Sequence, residues 1–261
     1  MIKNGQIIVA MKKTLLTCSV LAVFGVVSGC TTTTAFGHLS SDDKASTFNA
    51  ELGTNYLAVG ELENAEHKLQ RSLEQNPNNA LANNSYARLQ VELDNPNGAD
   101  QAFRKSIRLA PKRAEYRNNY AIFLCDQGRT QEAVDQFVAA SENKFYRTPE
   151  FALDNAGVCA LDAGDLALAE THLRSAIRVN PNFAPSMLHM AALKLKSGDA
   201  NVADAYYGRY TTLGRQSPGS LAVGIDVKQA IGDQETADEL ARTLITNYPR
   251  SSQAKTHLAA N

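Results

Sequence analysis

The sequence predicts an all-α fold, a solenoid of six stacked pairs of antiparallel helices behind an N-terminal signal peptide. The first observation is a column of alanines with spacings of 34, 34, 36, 34 and 34 residues: Ala65, Ala99, Ala133, Ala169, Ala203 and Ala237. The second is a glycine five residues before five of them: Gly60, Gly128, Gly164, Gly198 and Gly232. The third is a proline twelve residues after four of them: Pro77, Pro111, Pro181 and Pro249. Columns that recur at a fixed period indicate a repeat architecture.

The N-terminal region has the pattern of a signal peptide. Lys12 and Lys13 precede a mostly apolar run of about fourteen residues, 14–27. A bilayer-spanning helix needs roughly 20 apolar residues, so this run has the length of a signal-peptide core. A start at Met11 fits the pattern better than a start at Met1.

The apolar run ends in VSGC, residues 27–30, which resembles a bacterial lipobox with valine in place of the usual leucine. The resemblance implies that residues 1–29 are removed and that Cys30 carries a covalent lipid; no cofactor is expected. A threonine at position 31, rather than an aspartate, implies sorting to the periplasmic face of the outer membrane. The alternative is a free cysteine at the end of an uncleaved anchor.

The charge balance excludes several classes of partner. The chain has 26 Lys and Arg against 27 Asp and Glu. Removal of residues 1–29 takes away three lysines and no acid, which leaves 23 against 27 and a net charge of −4. A mildly acidic chain without a Lys/Arg cluster is a poor ligand for nucleic acid or for an anionic membrane surface. We therefore expect membrane contact through the lipid anchor alone, which is stable with two or more acyl chains.

The mature chain is predicted to have three parts. Residues 30–45 are rich in Thr and Ser and are predicted to form the lipidated N-terminus and a flexible linker, about 20–25 Å long as a random coil. The six repeats are predicted to span residues 46–250. Residues 251–261 are predicted to form a helix that caps the last apolar edge.

Each repeat has the pattern of two amphipathic helices joined by a turn. In the first repeat, the residues predicted to line the first helix are Leu52, Tyr56 and Leu57. Those predicted to line the second helix are Ala65, Leu69 and Leu73. Gly60 allows the turn between the helices, and Pro77 ends the second one. Because a single pair cannot bury its apolar face, the pairs are expected to stack.

This pattern resembles the tetratricopeptide repeat (TPR), with small residues in the first helices at Gly53, Ala87, Ala121, Gly157 and Ala191. The resemblance covers about 46–250. The chain lacks the tryptophan of the family pattern, and repeat 6 departs from it with Gly224 and Ile225. Two extra residues lie between repeats 3 and 4, in SENKFYRTPE. The aromatic residues of this insertion, Phe145 and Tyr146, either fill the joint between the repeats or contact a partner.

The sequence lacks the motifs of common catalytic and cofactor sites, since GxGxxG, the P-loop, GxSxG, HExxH and CxxC are all absent. The five histidines occupy unrelated positions in the repeat: His38, His67, His172, His189 and His257. We therefore expect no enzyme activity, no metal site and no small-molecule substrate.

Cys125 and Cys159 are the two cysteines that follow the signal region and lipobox. In a TPR stack they lie on the first helices of repeats 3 and 4, which run side by side at about 8–10 Å between axes. An even number of cysteines in an oxidising compartment favours a disulfide. The alternative is a pair of buried thiols.

The first helices of a TPR stack line its concave face, so their side chains are candidates for binding a peptide segment. The predicted groove residues are Asn84, Arg88, Asn118, Asn119, Ile122, Asp154, Asn155 and Val158, with Leu195 beside them. Asparagine can pair with both backbone groups of a bound peptide. Alternatively, Asn119 and Asn155 match a TPR asparagine that mainly stabilises the stack.

Three segments indicate which group of TPR proteins this chain resembles: RNNYAIFLCDQGR (117–129), LDNAGVCALDAGD (153–165) and the SENKFYRTPE insertion. Together with the lipobox, the linker and six repeats, they resemble the type IV pilus biogenesis lipoproteins, the pilotin group called PilF or PilW. The cysteines of repeats 3 and 4 are the most specific shared feature. The resemblance implies a protein partner, the type IV pilus secretin subunit, whose outer-membrane localisation and multimer assembly it promotes. The resemblance further implies that pilus biogenesis and twitching motility depend on this protein, because both need the assembled secretin.

The repeats by themselves indicate a lipid-anchored, non-enzymatic scaffold that binds peptides. The alternative function is therefore another TPR outer-membrane lipoprotein, either an adaptor for peptidoglycan hydrolases or an outer-membrane assembly factor. The partner recovered from an envelope extract would distinguish these functions.

Overall fold

The computed structural model of the protein describes residues 40–260, which form thirteen α-helices and, within that range, no β-strand. The helices are α1 (Ser41–Ala58), α2 (Leu62–Gln75), α3 (Ala80–Glu92), α4 (Pro96–Leu109), α5 (Ala114–Asp126), α6 (Thr130–Ser141), α7 (Pro149–Asp162), α8 (Leu166–Val179), α9 (Ala184–Lys196), α10 (Ala200–Leu213), α11 (Pro218–Ala230), α12 (Gln234–Asn247) and α13 (Ser252–Ala260). Consecutive helices pair from α1 with α2 to α11 with α12, and α13 follows as an extra helix. The predicted all-α solenoid of helix pairs is confirmed.

The odd-numbered helices from α1 to α11 open the six repeats and pack against one another along the stack. Each even-numbered helix packs closely on its own partner and on the next odd-numbered helix. Within residues 40–260, the backbones of even-numbered helices do not pack against one another, and α4 and α6 meet only through side chains such as Arg104 and Glu132. One face of the stack is therefore a continuous row of helices, which we call the groove face. The other face is a series of furrows, each between two neighbouring even-numbered helices.

The alanine column lies where the helices of a pair approach closely. Its members are almost completely buried: Ala65, Ala99, Ala133, Ala169, Ala203 and Ala237. Gly157 shows why the facing helix needs a small residue. A Cβ atom at this position would lie 2.6 Å from Cγ of Leu173 and 3.2 Å from the backbone oxygen of Ala169. A larger side chain would therefore force α7 and α8 apart.

The turn inside each repeat requires one residue with a positive φ angle. Gly164 has a φ of 83°, which glycine adopts without a steric cost. Repeat 2 has no glycine at this position, and Asp94 adopts a φ of 53° in its place. Aspartate tolerates the left-handed region better than most residues, so the turn is kept.

The first repeat begins earlier than predicted, because α1 starts at Ser41, inside the segment 30–45 that we assigned to the linker. A capping box stabilises this start. Oγ of Ser40 accepts a hydrogen bond from the backbone N–H of Asp43 over 3.0 Å, and the Asp43 carboxylate accepts one from the Ser40 N–H. The predicted signal peptide, Cys30 and the first part of the linker lie outside the described residues.

The joint between repeats 3 and 4 is longer than the others. Residues 142–148 form a loop of seven residues here, whereas every other joint between repeats has four. Tyr146 is half-buried and packs against the core, but Phe145 is 72% exposed. Each of our two interpretations therefore applies to one residue: Tyr146 fills the joint and Phe145 is available on the surface.

The helix α13 covers the end of the stack, where a closing helix was predicted for residues 251–261. Ala254 is fully buried there in a cluster with Leu221, Ile225 and Leu244. Within residues 40–260, no helix has both the length and the apolar character that crossing a membrane requires.

Candidate functional site

A hollow of about 190 Å³ opens between α3 and α5 on the groove face. Its lining residues are Arg88, Val91, Glu92, Phe103, Asn119, Ile122, Phe123 and Asp126. Ile122 is 43% exposed, so the hollow offers apolar surface with one basic and two acidic side chains around it. Such a surface can bind an apolar side chain of a partner and form hydrogen bonds with the polar groups of the partner on either side of it.

Three of these residues were predicted for the groove, namely Arg88, Asn119 and Ile122. We did not predict Val91, Glu92 or Asp126. Helical spacing could have found them, because they lie three or four residues after Arg88 or Ile122 and so share their helix face.

Beneath the groove surface, polar side chains join successive odd-numbered helices. Nδ2 of Asn119 on α5 donates a hydrogen bond to Oδ1 of Asn84 on α3 over 2.9 Å. Nδ2 of Asn155 on α7 donates one to Oδ1 of Asn118 on α5 over 3.3 Å. Both pairs have the same register: fifteen residues before the column alanine in one repeat, and fourteen before it in the next. These contacts support the alternative that the asparagines stabilise the stack.

The third pair in this register is Asp154 on α7 and His189 on α9. Nδ1 of His189 lies 3.0 Å from Oδ1 of Asp154, and Ser186 donates a hydrogen bond to the same oxygen over 2.6 Å. From sequence we gave His189 no role, because the histidines do not recur at one repeat position. The pairing shows that His189 occupies the position of Asn119 and Asn155 one repeat further on.

Asn84 and Asp154 are not part of the groove surface, contrary to our prediction. They are only 3% and 5% exposed, because the neighbouring helix covers them and bonds to them. The buried carboxylate of Asp154 is tolerated since Ser186 and His189 satisfy it. Within residues 40–260, Nδ2 of Asn84 is the single buried side-chain nitrogen or oxygen without a hydrogen-bond partner. The other predicted residues reach the surface, with Arg88 and Ile122 exposed and with Asn118, Asn119, Asn155, Val158 and Leu195 half-buried.

The set of Asp154, Ser186 and His189 is not arranged for nucleophilic catalysis. Ser186 is fully buried, and its hydroxyl donates to Asp154 rather than to His189. A serine nucleophile needs a base that accepts its proton, with a third group to orient that base. The geometry instead joins α7 to α9. In the described part of the chain, no three His, Cys, Asp or Glu side chains are grouped as ligands for a metal ion.

Cys125 on α5 and Cys159 on α7 form a disulfide in the structure, with Cα atoms 5.8 Å apart. It joins the same two helices as the hydrogen bond between Asn118 and Asn155. The covalent link lies at the joint whose loop, 142–148, is the long one. The two halves of the groove face are thus tied together at this joint.

Comparison with known proteins identifies the family. The tetratricopeptide repeat pattern matches residues 51–99 and 87–147. The type IV pilus assembly protein PilF of Pseudomonas aeruginosa is 31% identical over 229 residues, which cover 86% of this chain and 90% of PilF. The chain belongs to the PilF/PilW family of type IV pilus biogenesis TPR proteins.

Solved structures of PilF/PilW proteins share the fold over almost their whole length. PilW, a widely conserved type IV pilus biogenesis factor, is 28% identical with a TM-score of 0.72, and the match covers 82% of this chain and 98% of PilW. PilF of Pseudomonas aeruginosa is 29% identical with a TM-score of 0.70, covering 85% of this chain and 100% of PilF. The repeat domain described above is thus a PilF/PilW domain.

Proposed function

We propose that this PilF/PilW protein is a pilotin, an outer-membrane lipoprotein that binds the type IV pilus secretin subunit and promotes its localisation and multimer assembly. Its family consists of type IV pilus biogenesis proteins. To this we add three proposals: the secretin as partner, a lipid on Cys30 and a location in the outer membrane. The function needs only protein binding, without catalysis, a cofactor, nucleic acid or a small-molecule substrate.

The hollow between α3 and α5 is the observation that carries this proposal. Ile122 and Val91 provide apolar contact, while Arg88 and Asn119 provide hydrogen-bond donors. A helical or extended segment that places an apolar side chain here would bind as a peptide does in other grooves. The polar pairs and the disulfide hold the odd-numbered helices in place, which lowers the entropic cost of binding.

The lipid anchor would give the bound subunit its destination. A secretin subunit exposes apolar surface while it crosses the periplasm, and its ring must form in the outer membrane. A carrier held in that membrane by two or more acyl chains on Cys30 would retain the subunit there. One binding event would then both cover the apolar surface of the secretin subunit and direct the subunit to the outer membrane, and no chemical step is required.

The test compares secretin in a strain that lacks the gene with strains that carry the wild-type, Cys30→Ser or Ile122→Glu protein. We expect the deletion strain to have secretin monomers, few heat-resistant multimers, no surface pili and no twitching. Cys30→Ser should restore little of this, because the domain loses its anchor. Ile122→Glu should lower the multimers, because it places a charge in the apolar hollow.

Val202→Glu is the matched control for Ile122→Glu. Val202 on α10 is also 43% exposed and lies outside the hollow between α3 and α5. This variant should keep wild-type multimers, and both variants should keep the helical circular dichroism of the wild type. Normal secretin multimers and pili in the deletion strain would overturn the pilotin function. Co-purification of a peptidoglycan hydrolase or an assembly factor would then indicate a different TPR scaffold.

A further inference from the structure

The furrow between α4 and α6 collects basic side chains on the face away from the groove. The backbones of α4 and α6 do not pack against each other, so part of α5 is accessible between them, although Arg104 on α4 forms an ion pair with Glu132 on α6. Two hollows of about 200 and 450 Å³ lie along this furrow, and Arg117 of α5 lines both. The two hollows therefore adjoin at Arg117, and the second reaches the insertion loop 142–148.

Five cationic residues line the furrow: Arg104, Arg108, Lys112, Arg117 and Lys144. Within residues 40–260, only Arg104 among them has a carboxylate within 4.0 Å. Arg117 donates a hydrogen bond to the neutral side chain of Gln136 over 2.9 Å. Glu142 is the one carboxylate that lines either hollow. The furrow thus presents positive charge that the fold does not neutralise.

This surface corrects our expectation that the chain has no Lys/Arg cluster. Six basic residues and one acid, Glu115, lie between positions 104 and 117. Glu115 is engaged by Arg113 at 3.8 Å. The turn from α4 into α5 brings four of the basic residues into one furrow, and the insertion loop adds Lys144. A basic site therefore exists in a chain with a formal net charge of −1.

An ion network fixes the walls of the furrow. Asp100 on α4 accepts hydrogen bonds from Arg104, from Tyr120 on α5 and from Arg129 before α6. Burial acts to raise the pKa of Asp100, but these three hydrogen bonds outweigh it and hold the pKa below the ordinary value of 3.8. The carboxylate therefore stays charged and ties three helices together, so the furrow is preformed.

Apolar surface lies beside the cations. The guanidinium carbon of Arg104 lies 5.4 Å from the ring centroid of Tyr120. Nζ of Lys144 lies 5.3 Å from the ring of Phe145, which is 72% exposed. Ile107 adds an aliphatic surface to the first hollow. The furrow can therefore receive both carboxylates and an apolar side chain.

We propose that this furrow binds an acidic, extended polypeptide segment of a protein partner, with an apolar side chain between its carboxylates. Guanidinium groups match carboxylates in geometry, and three of the five cations are arginines. A polypeptide can enter a recess between two helices, whereas the flat surface of an anionic membrane cannot reach the cations inside it. The site lies on the opposite side of the repeats from the groove, so it does not depend on secretin binding there.

The test measures fluorescence anisotropy of a labelled peptide, Glu-Glu-Leu-Glu-Glu-Glu, on titration with the full chain. The matching glutamine peptide should not bind, and binding should weaken between low and high salt. Arg108→Glu with Arg117→Glu should weaken binding about tenfold or more, since two attractions become repulsions. Lys112→Glu with Lys144→Glu changes only loop residues and should weaken binding in the same way.

Arg178→Glu with Arg209→Glu is the matched control, because it makes the same change in net charge on α8 and α10. Arg178 has the repeat register of Arg108, nine residues after the column alanine. This control should keep binding within about twofold of the wild type, as expected for distant charges. Three results would each overturn the proposal. The first is that the acidic peptide does not bind, and the second is that the control variant weakens binding as much as the furrow variants do. The third is that the furrow variants lose binding to phosphatidylglycerol vesicles but bind the acidic peptide as the wild type does.

Discussion

Nδ1 of His189 on α9 lies 3.0 Å from Oδ1 of Asp154 on α7, 35 positions earlier in the chain. The hydrogen bond between Asn119 and Asn84 has the same separation of 35 positions. A row of polar contacts therefore crosses successive joints of the groove face, although its members change from amides to a carboxylate and an imidazole.

Asp154→Ala should destabilise the domain by about 1–3 kcal/mol, because it leaves the buried hydroxyl of Ser186 without its acceptor. Urea unfolding followed by circular dichroism measures this loss. Asp162→Ala changes an exposed aspartate of the same helix and should alter the free energy of unfolding by less than about 0.5 kcal/mol. Equal effects of the two substitutions would contradict the role of Asp154.

The disulfide between Cys125 and Cys159 should stabilise the domain by about 3–4 kcal/mol, because it closes a loop in the unfolded chain. The two cysteines are 34 positions apart. Mass spectrometry of unreduced tryptic peptides should find these cysteines linked, and reduction should lower the melting temperature by several degrees. Reduction should not lower it in the double variant Cys125→Ser with Cys159→Ser. Alkylation of both cysteines in unreduced, denatured protein would show that they are not bridged.

Gly157→Ala and Gly208→Ala should have opposite effects on stability. At Gly157 the added Cβ would meet Leu173, so we expect a loss of about 1–3 kcal/mol despite the higher helix propensity of alanine. At Gly208, in the interior of α10, the Cβ would have no neighbour within 4 Å, so we expect a gain of about 0.5–1 kcal/mol. Urea unfolding under the same conditions compares them; a shared sign would show that helix packing at Gly157 is looser than described.

Tyr120 should contribute a pH-dependent term to stability in alkaline solution. Burial, and then its hydrogen bond to Asp100, raise the pKa of Tyr120 to about 12 from an ordinary value of 10.0. Because the folded state holds the proton more tightly, this contribution is complete below pH 10 and is lost as the pH rises from about 10 to 12.

Tyr120→Phe removes the titrating hydroxyl and should flatten the loss of stability over that interval. Urea unfolding across the alkaline range measures the slope, and the difference in tyrosinate absorbance between the wild type and Tyr120→Phe isolates this residue. The prediction does not hold if the variant loses stability as steeply as the wild type between about pH 10 and 12.

The pattern of the sequence was sufficient for the helix pairs, their number and the five turns that contain a glycine. Ala65 and its equivalents, the glycines and the prolines recur at fixed offsets, and helix pairing depends on neighbours close in the chain. The start of α1 was predicted too late, because the capping box at Ser40 was not recognised within a stretch rich in Ser and Thr. Arg88, Asn119 and Ile122, which we predicted for the groove, line the hollow between α3 and α5, and their part in binding stays a prediction.

The sequence by itself therefore determined that the chain stacks six helical hairpins, since spacing alone decides which residues share a helix face. The tertiary structure decided which polar residues on those faces are buried. Asn84 and Asp154 share the face of Arg88 and Val158, yet the next repeat covers them. It also decided that Lys144 joins the basic residues of α4 and α5 in one furrow. Both outcomes depend on the offset and tilt between neighbouring helices, which follow from the packing of whole side chains and leave no period in the sequence.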